Sequence, residues 1–151
     1  MKRSKEFLIK DIAEYSALIQ DYTENISFEQ FINDSKTCNA VIRCIEVIGE
    51  ATKNIPDELK VKYTSIPWKN IAGMRDIAIH DYSDLDYEEV WQVAKKDIPD
   101  LVNKISDLAK KEGINIKEQK QEISSPDDLV RKNTFTDFLN NKNNNTKKFG
   151  R

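Results

Sequence analysis

A chain of 151 residues and 17.5 kDa has room for one domain with a real core, and four glycines and four prolines leave it short of the turns a β fold needs. Charged residues make up 33% of it yet sum to only −2, which gives no global signal for a polyanionic partner. A single histidine and two separated cysteines exclude the usual zinc spacings, and no apolar stretch of about 18 residues is present to cross a membrane.

Near the N-terminus the apolar run Phe7-Leu8-Ile9 is too short for the core of a secretion signal, so a cytoplasmic protein is expected. Leu8, Ile12, Tyr15, Ile19 and Tyr22 step by 4, 3, 4 and 3, predicting a first amphipathic helix. Ser27 with Gln30 forms a capping box for a short helix using Phe28, Phe31 and Ile32. Cys38, Val41, Ile45, Ile48, Thr52 and Ile55 predict a helix of about 20 residues that stops at Pro56. Cys38 and Cys44 point to different faces of that helix, so they read as core fillers in a reducing cytosol rather than as a disulfide. Asp57-Glu58-Leu59-Lys60 adds one further turn. Ser65-Ile66-Pro67 reads as the start of a helix with proline in its first turn, running from about Pro67 to Asp81. Asp86 with Glu89 then caps the longest stripe, Tyr87, Val90, Trp91, Ala94, Ile98, Leu101, Ile105 and Leu108. Pro99 lies inside it and should kink the helix or divide it, and Gly113 is a natural stop.

Residues 113–151 change character, with five asparagines between Asn140 and Asn145 and a net charge of +3, which leaves residues 1–112 at −5. A short helix starting at Ser125-Pro126-Asp127-Asp128 could use Leu129, Val130, Phe135, Phe138 and Leu139, but the segment reads as a polar, Lys/Asn-rich tail, partly helical or disordered. Residues 1–112 read as an all-α, up-and-down bundle of four or five helices.

The stretch Arg75-Asp76-Ile77-Ala78-Ile79-His80-Asp81-Tyr82 holds the only histidine. It joins a forked phosphate-binding cation, a proton-transfer group and a phenol within about two helical turns. That combination suits metal-free cleavage of a phosphodiester. On a regular helix Asp76 and His80 share a face, so the carboxylate can orient the imidazole and favour its protonated form. Arg75 and His80 are separated by roughly 140°, so one straight helix does not bring both onto one phosphate. Either the helix unwinds near His80, or a second copy of the chain completes the site. From spacing alone, a lone histidine near a helix end reads first as a capping or dipole-compensating residue. Arg43, Glu46 and Glu50 fall on one polar stripe and read first as a salt-bridge ladder, at a dimer seam for instance, with a weaker claim to positioning the motif helix. Trp68 and Trp91 read as core anchors rather than base-stacking platforms, and Lys147, Lys148 and Arg151 as solvated charges rather than phosphate contacts.

A wider set of residues carries a resemblance. Asn39 to Ala51, Ile55-Pro56, Ile66-Pro67-Trp68, Ile71-Ala72-Gly73-Met74-Arg75-Asp76, His80-Asp81-Tyr82, Val90-Trp91 and Asp97-Ile98-Pro99 together resemble the HepT-like family of HEPN (higher eukaryotes and prokaryotes nucleotide-binding) domains, over about residues 5–110. The family motif is an arginine, four residues, a histidine, one residue and a tyrosine, and Arg75, His80 and Tyr82 match it. The resemblance implies a homodimeric toxin: a metal-independent endoribonuclease, with no cofactor, encoded beside a nucleotidyltransferase antitoxin of the MntA type. It implies Arg75 on the scissile phosphate, His80 as the proton-transfer group, Asp76 as its orienter and Tyr82 as the target of adenylylation. Messenger and transfer RNA both remain open as substrates. The alternative is a non-catalytic subunit that presents a nucleotide or substrate to a separate nucleotidyltransferase. The Arg75/His80 pair weighs against that, because a binding module has no need of a proton-transfer group.

Overall fold

Apolar residues stepping by three and four can be buried together only in helices, and among the described residues the fold consists of helices and their connections. A computed structural model describes residues 2–79 and 85–116. Its helices are α1 (Lys5–Thr23), α2 (Phe28–Asn33), α3 (Ser35–Lys53), α4 (Asp57–Lys62), α5 (Trp68–Ile79), α6 (Tyr87–Gln92) and α7 (Ile98–Glu112). The C-terminal limit expected for the motif helix at Asp81, the motif residues His80 and Tyr82, and the helix expected after Ser125 lie outside the described residues.

Helix starts are set by side chains that accept from otherwise unpaired N–H groups. The capping box is present: Gln30 N–H donates to Ser27 Oγ at 3.1 Å and Ser27 N–H to Gln30 Oε1 at 2.8 Å. Asp86 Oδ1 accepts from Glu88 and Glu89 at 3.0 and 3.1 Å. Pro67 stands one position earlier than the first-turn placement expected of it. Its carbonyl accepts from Ile71 N–H at 3.0 Å, so it is the residue before α5 and Trp68 begins the helix. Trp68 is an anchor as expected, buried with its indole N–H donating to Tyr63 O at 3.0 Å.

Each long helix buries its predicted stripe. α3 packs against both α1 and α5, and α1 packs also against α7, so the order across the bundle is α5, α3, α1, α7. Ile9, Ile12 and Ile19 of α1, Val41, Ile45 and Ile48 of α3, Ile71 of α5 and Ile98, Ile105 and Leu108 of α7 are fully enclosed. Tyr22 and Tyr87, at the ends of their stripes, remain exposed, where a phenol keeps its hydroxyl in water. Cys38 and Cys44 are unpaired and buried. Burial raises both thiols, Cys44 to about 11, so they stay protonated; Cys38 donates to Phe31 O at 3.0 Å.

As expected for Pro99, the longest stripe is divided, into α6 and α7, although the helical path is not broken off. The chain runs from α6 into α7 through a π turn at Val93–Asp97, in which Ile98 N–H donates to Val93 O. A proline inside a helix lacks an N–H and crowds the carbonyl four residues back, and a wider turn just before it relieves that crowding. The same turn sends Lys95 toward α1, where its ammonium donates to Thr23 O at 2.7 Å at the helix end and sits 5.1 Å over the Trp91 ring. Trp91 in turn packs half-buried on Phe31, with ring centroids 5.1 Å apart.

α7 closes on Gly113 with φ +67°, a left-handed conformation that turns the chain so that Ile114 N–H reaches back to Ala109 O at 2.8 Å and Ile114 is buried. The last residue of α7 is also its clamp. Glu112 accepts from Lys62 Nζ at 2.7 Å and Tyr63 Oη at 2.6 Å and lies 3.7 Å from Lys5 Nζ, tying α7 to the C-terminal end of α4 and to the start of α1. No helix among the described residues is long and apolar enough to cross a membrane.

Two glycines in helices make a contrast. A Cβ on Gly49 would stand 2.9 Å from Arg75 Cβ and 3.1 Å from its backbone nitrogen, whereas one on Gly73 would meet nothing within 4 Å. Gly49→Ala should therefore destabilise the fold by about 1–3 kcal/mol through overpacking, in spite of alanine's better helix propensity. Gly73→Ala should stabilise it by up to about 1 kcal/mol. Urea unfolding of both variants checks the pair, and equal effects would contradict the close approach.

The Lys62 and Tyr63 hydrogen bonds hold the Glu112 carboxyl down at about 2, against an ordinary value of 4.5. A depressed acid stabilises the fold fully above its unfolded value and loses that contribution as pH falls through the folded value. The melting-temperature gap between wild type and Glu112→Gln should thus be widest at neutral pH and shrink from about pH 4.5 toward about 2. A gap that stays constant over that range would remove Glu112 from the clamp.

Candidate active site

The motif arginine is positioned by a contact between two helices. Gly49 has no side chain, so the α3 backbone comes up against α5 at Arg75 itself, with Ala72 O 3.3 Å from where a Cβ would be. One residue further along α3, Glu50 Oε2 accepts from Arg75 Nη1 at 2.6 Å. The two side chains are 42% and 52% exposed, so this is a wet, charge-assisted bond that orients the guanidinium more than it stabilises the fold. Asp76 follows on the exposed side of α5, and Met74 before it is buried in the core. The backbone stays α-helical through Ile79.

Arg75 and Glu50 stand at a groove of about 730 Å³ between α1 and α3. Leu8, Val47 and Ala51 line it along with Phe7 and Tyr15, and its charged lining comes as pairs. Arg43 Nη1 donates to Glu46 at 3.1 Å, and Arg3 Nη1 to Asp11 at 2.7 Å. A second groove, about 530 Å³, lies between α5 and the α6–α7 stretch and is lined by Met74, Ile77, Val93 and Leu101 with Asp97 and Asp100 at its edge; no arginine lines it.

Of the sequence-derived site residues, Arg75 and Asp76 are described and His80 and Tyr82 lie outside the described residues. The polar stripe of α3 divides. Arg43 and Glu46 form the expected rung within the helix, but Glu50 leaves the ladder and pairs with Arg75 on the motif helix. Gly49 and Arg3 were not legible as site residues. A glycine inside an otherwise strong helical stripe was the available signal, because its cost of about 1 kcal/mol implies a close packing partner. Arg3 sits before α1 and had no pattern to betray it.

Comparison with known proteins places this geometry in context. A family model described as Ribonuclease HepT-like matches residues 12–108. A protein of Thermococcus cleftensis named as a probable ribonuclease HepT is 47% identical over 110 residues, covering 73% of this chain and 100% of the relative. A protein of Methanocaldococcus jannaschii named as a candidate RNase is 44% identical over 109 residues, covering 72% of this chain and 90% of the relative. A third, from Caldanaerobacter subterraneus and also named as a candidate RNase, is 39% identical over 112 residues, covering 74% and 99%. No solved structure matches the chain.

Proposed function

The chain belongs to the HepT-like ribonuclease family, and from that premise we propose that it is a metal-independent endoribonuclease, the toxin of a toxin–antitoxin pair. The observation that carries the proposal is the motif arginine itself. Arg75 is half-exposed at the mouth of a groove, and its guanidinium is held through one nitrogen by Glu50, leaving donors for a phosphate.

In this mechanism Arg75 holds the scissile phosphate and stabilises the charge that develops on its oxygens. The RNA's 2′-hydroxyl attacks the phosphorus and the bond to the 5′-oxygen breaks. His80 takes part in moving the proton from the attacking hydroxyl and supplying one to the leaving oxygen, and Asp76, four residues before it in sequence, orients it. The products are a 2′,3′-cyclic phosphate and a 5′-hydroxyl. Every proton is accounted for by side chains and water, so no step calls for a metal. The five-residue spacing of Arg75 and His80, which a regular helix would put on different faces, favours a homodimer in which two copies of the motif segment share the cleft. Glu50 acts through Arg75 and is a positioning residue.

Tyr82 is the proposed off-switch. A nucleotidyltransferase antitoxin would direct its phenolic oxygen onto the α-phosphorus of ATP with release of pyrophosphate. The attached AMP brings negative charge and bulk next to the motif cations.

Purified protein should cut RNA equally well in EDTA, and should sediment as a dimer at micromolar concentration. Loss of His80 should lower the rate about 10²–10⁴-fold and loss of Arg75 roughly 10²–10³-fold, with the melting temperature retained. Cleavage that stops in EDTA or persists in His80→Ala would falsify the assignment.

Co-expression with the neighbouring nucleotidyltransferase should add AMP to a peptide spanning Tyr82 and abolish cutting. Neutralisation that proceeds equally with an active Tyr82→Phe variant, read by mass spectrometry and cleavage, would replace modification with simple binding.

A further inference from the structure

The groove beside Arg75 has a composition that the catalytic motif does not explain. Arg3, Arg43 and Arg75 are all the arginines among the described residues, and all three line this groove. Lysines are far more numerous in the same residues, and none of them lines it. Chance placement of surface cations would favour lysine. The guanidinium differs from an ammonium in presenting a planar fork of donors that matches phosphate oxygens.

The three arginines are also prepared in the same way. Each donates through Nη1 to one carboxylate, Arg3 to Asp11, Arg43 to Glu46 and Arg75 to Glu50, at 2.7, 3.1 and 2.6 Å. A single-nitrogen contact fixes the direction of a fork without using its other edge. Arg3 and Arg43 are 67% and 73% exposed, so their ion pairs contribute little to stability and leave the guanidinium groups open to a ligand. The pairing also leaves the groove lining formally neutral. Such a groove does not attract polyanions indiscriminately, and it binds where phosphates arrive in register with the forks.

One apolar residue in the groove is unexplained by the core. Phe7 is 63% exposed, on the same stripe of α1 as Asp11 and the half-buried Tyr15. An exposed ring among forked cations is the composition of a single-strand site, in which a base stacks on the ring while phosphates engage the donors.

We propose that the α1–α3 groove is the path of a single-stranded RNA leading to Arg75, with Arg3 and Arg43 each holding a phosphate next to the scissile one and Phe7 stacking a base. This rests on the ribonuclease reading and adds to it the substrate class and the side from which the strand enters. Asp11 and Glu46 are aiming residues that compete with the RNA for the same guanidinium.

That competition makes the proposal testable by sign. If Arg43–Glu46 were only a surface ion pair, removing either partner would break it with the same consequence. If it is a phosphate site, Arg43→Gln weakens RNA binding and Glu46→Gln strengthens it; Arg3→Gln and Asp11→Asn behave likewise. Binding is measured by fluorescence anisotropy of an end-labelled single-stranded RNA on full-length protein carrying His80→Ala, which prevents cutting, across a range of salt. Each arginine substitution should lower the salt slope by about 0.7, the value for one single-strand phosphate contact. Phe7→Ala should weaken binding by roughly 5- to 100-fold with the slope unchanged, the expectation for a lost stack. A fully paired duplex of the same sequence should bind more weakly than the single strand.

Parent-like affinity and slope in both Arg3→Gln and Arg43→Gln, in proteins whose melting temperature is retained, overturns the groove and leaves the ribonuclease reading standing if wild type still cuts RNA. Weakening by both members of each ion pair, or duplex binding as tight as single-strand binding, also overturns it. RNA neither bound nor cut by the wild type removes the ribonuclease reading and this proposal together.

Discussion

The approach of α3 to α5 at Gly49 is the constraint on which the candidate site depends. A hydrogen in place of a side chain lets the α3 backbone rest against the Cβ and backbone nitrogen of Arg75, and Glu50, the next residue, then meets the guanidinium. Any larger residue at 49 would have to push backbone aside, because two of the three nearest atoms are backbone atoms of α5. The geometry of the motif arginine is therefore set by interhelical packing, and the ion pair refines it. A half-exposed Arg–Glu bond could not separate or join helices by itself.

Regions remote from the site show how the bundle keeps this contact in place. α3 lies between α1 and α5, so its position is held by the enclosed isoleucines of α1 on one side and by Ile71 of α5 on the other. α1 is in turn fastened at both ends. Lys95, turned toward α1 by the π turn before Pro99, donates to the carbonyl of its last residue, and Glu112 draws Lys5 at its start toward the end of α7. A proline that would disrupt a regular helix becomes, through a wider turn, the means of reaching across to a neighbour.

The charge pattern divides the molecule's cations by chemistry. Lysines clamp helix ends, as Lys62 does on Glu112 and Lys95 on Thr23, where a compact flexible ammonium suffices. Among the described residues the arginines are confined to one groove and are each aimed by a carboxylate. A net charge of −2 hides this arrangement, because it sums over the groups that the fold has sorted.

By itself the sequence determined what depends on neighbours a few residues away. Helical stripes, the capping box at Ser27, the cap at Asp86, the stop at Gly113 and the spacing of the motif are all local, since 3.6-residue periodicity and end-capping act within one or two turns. Family membership was legible for the same reason, as an ordered string of residues. What only the tertiary structure decided is which faces meet. Glu50 looked like a rung of its own helix until Gly49 brought α5 beside it, and Arg3 came to line the groove with Arg43 and Arg75 only when α1 was laid along α3. Pro99 announced a division of its stripe, but the form of that division, a wider turn that brings Lys95 to α1, was decided by the packing. Contacts between residues 25 or 72 positions apart are decided by packing of whole helices, and no local spacing encodes them.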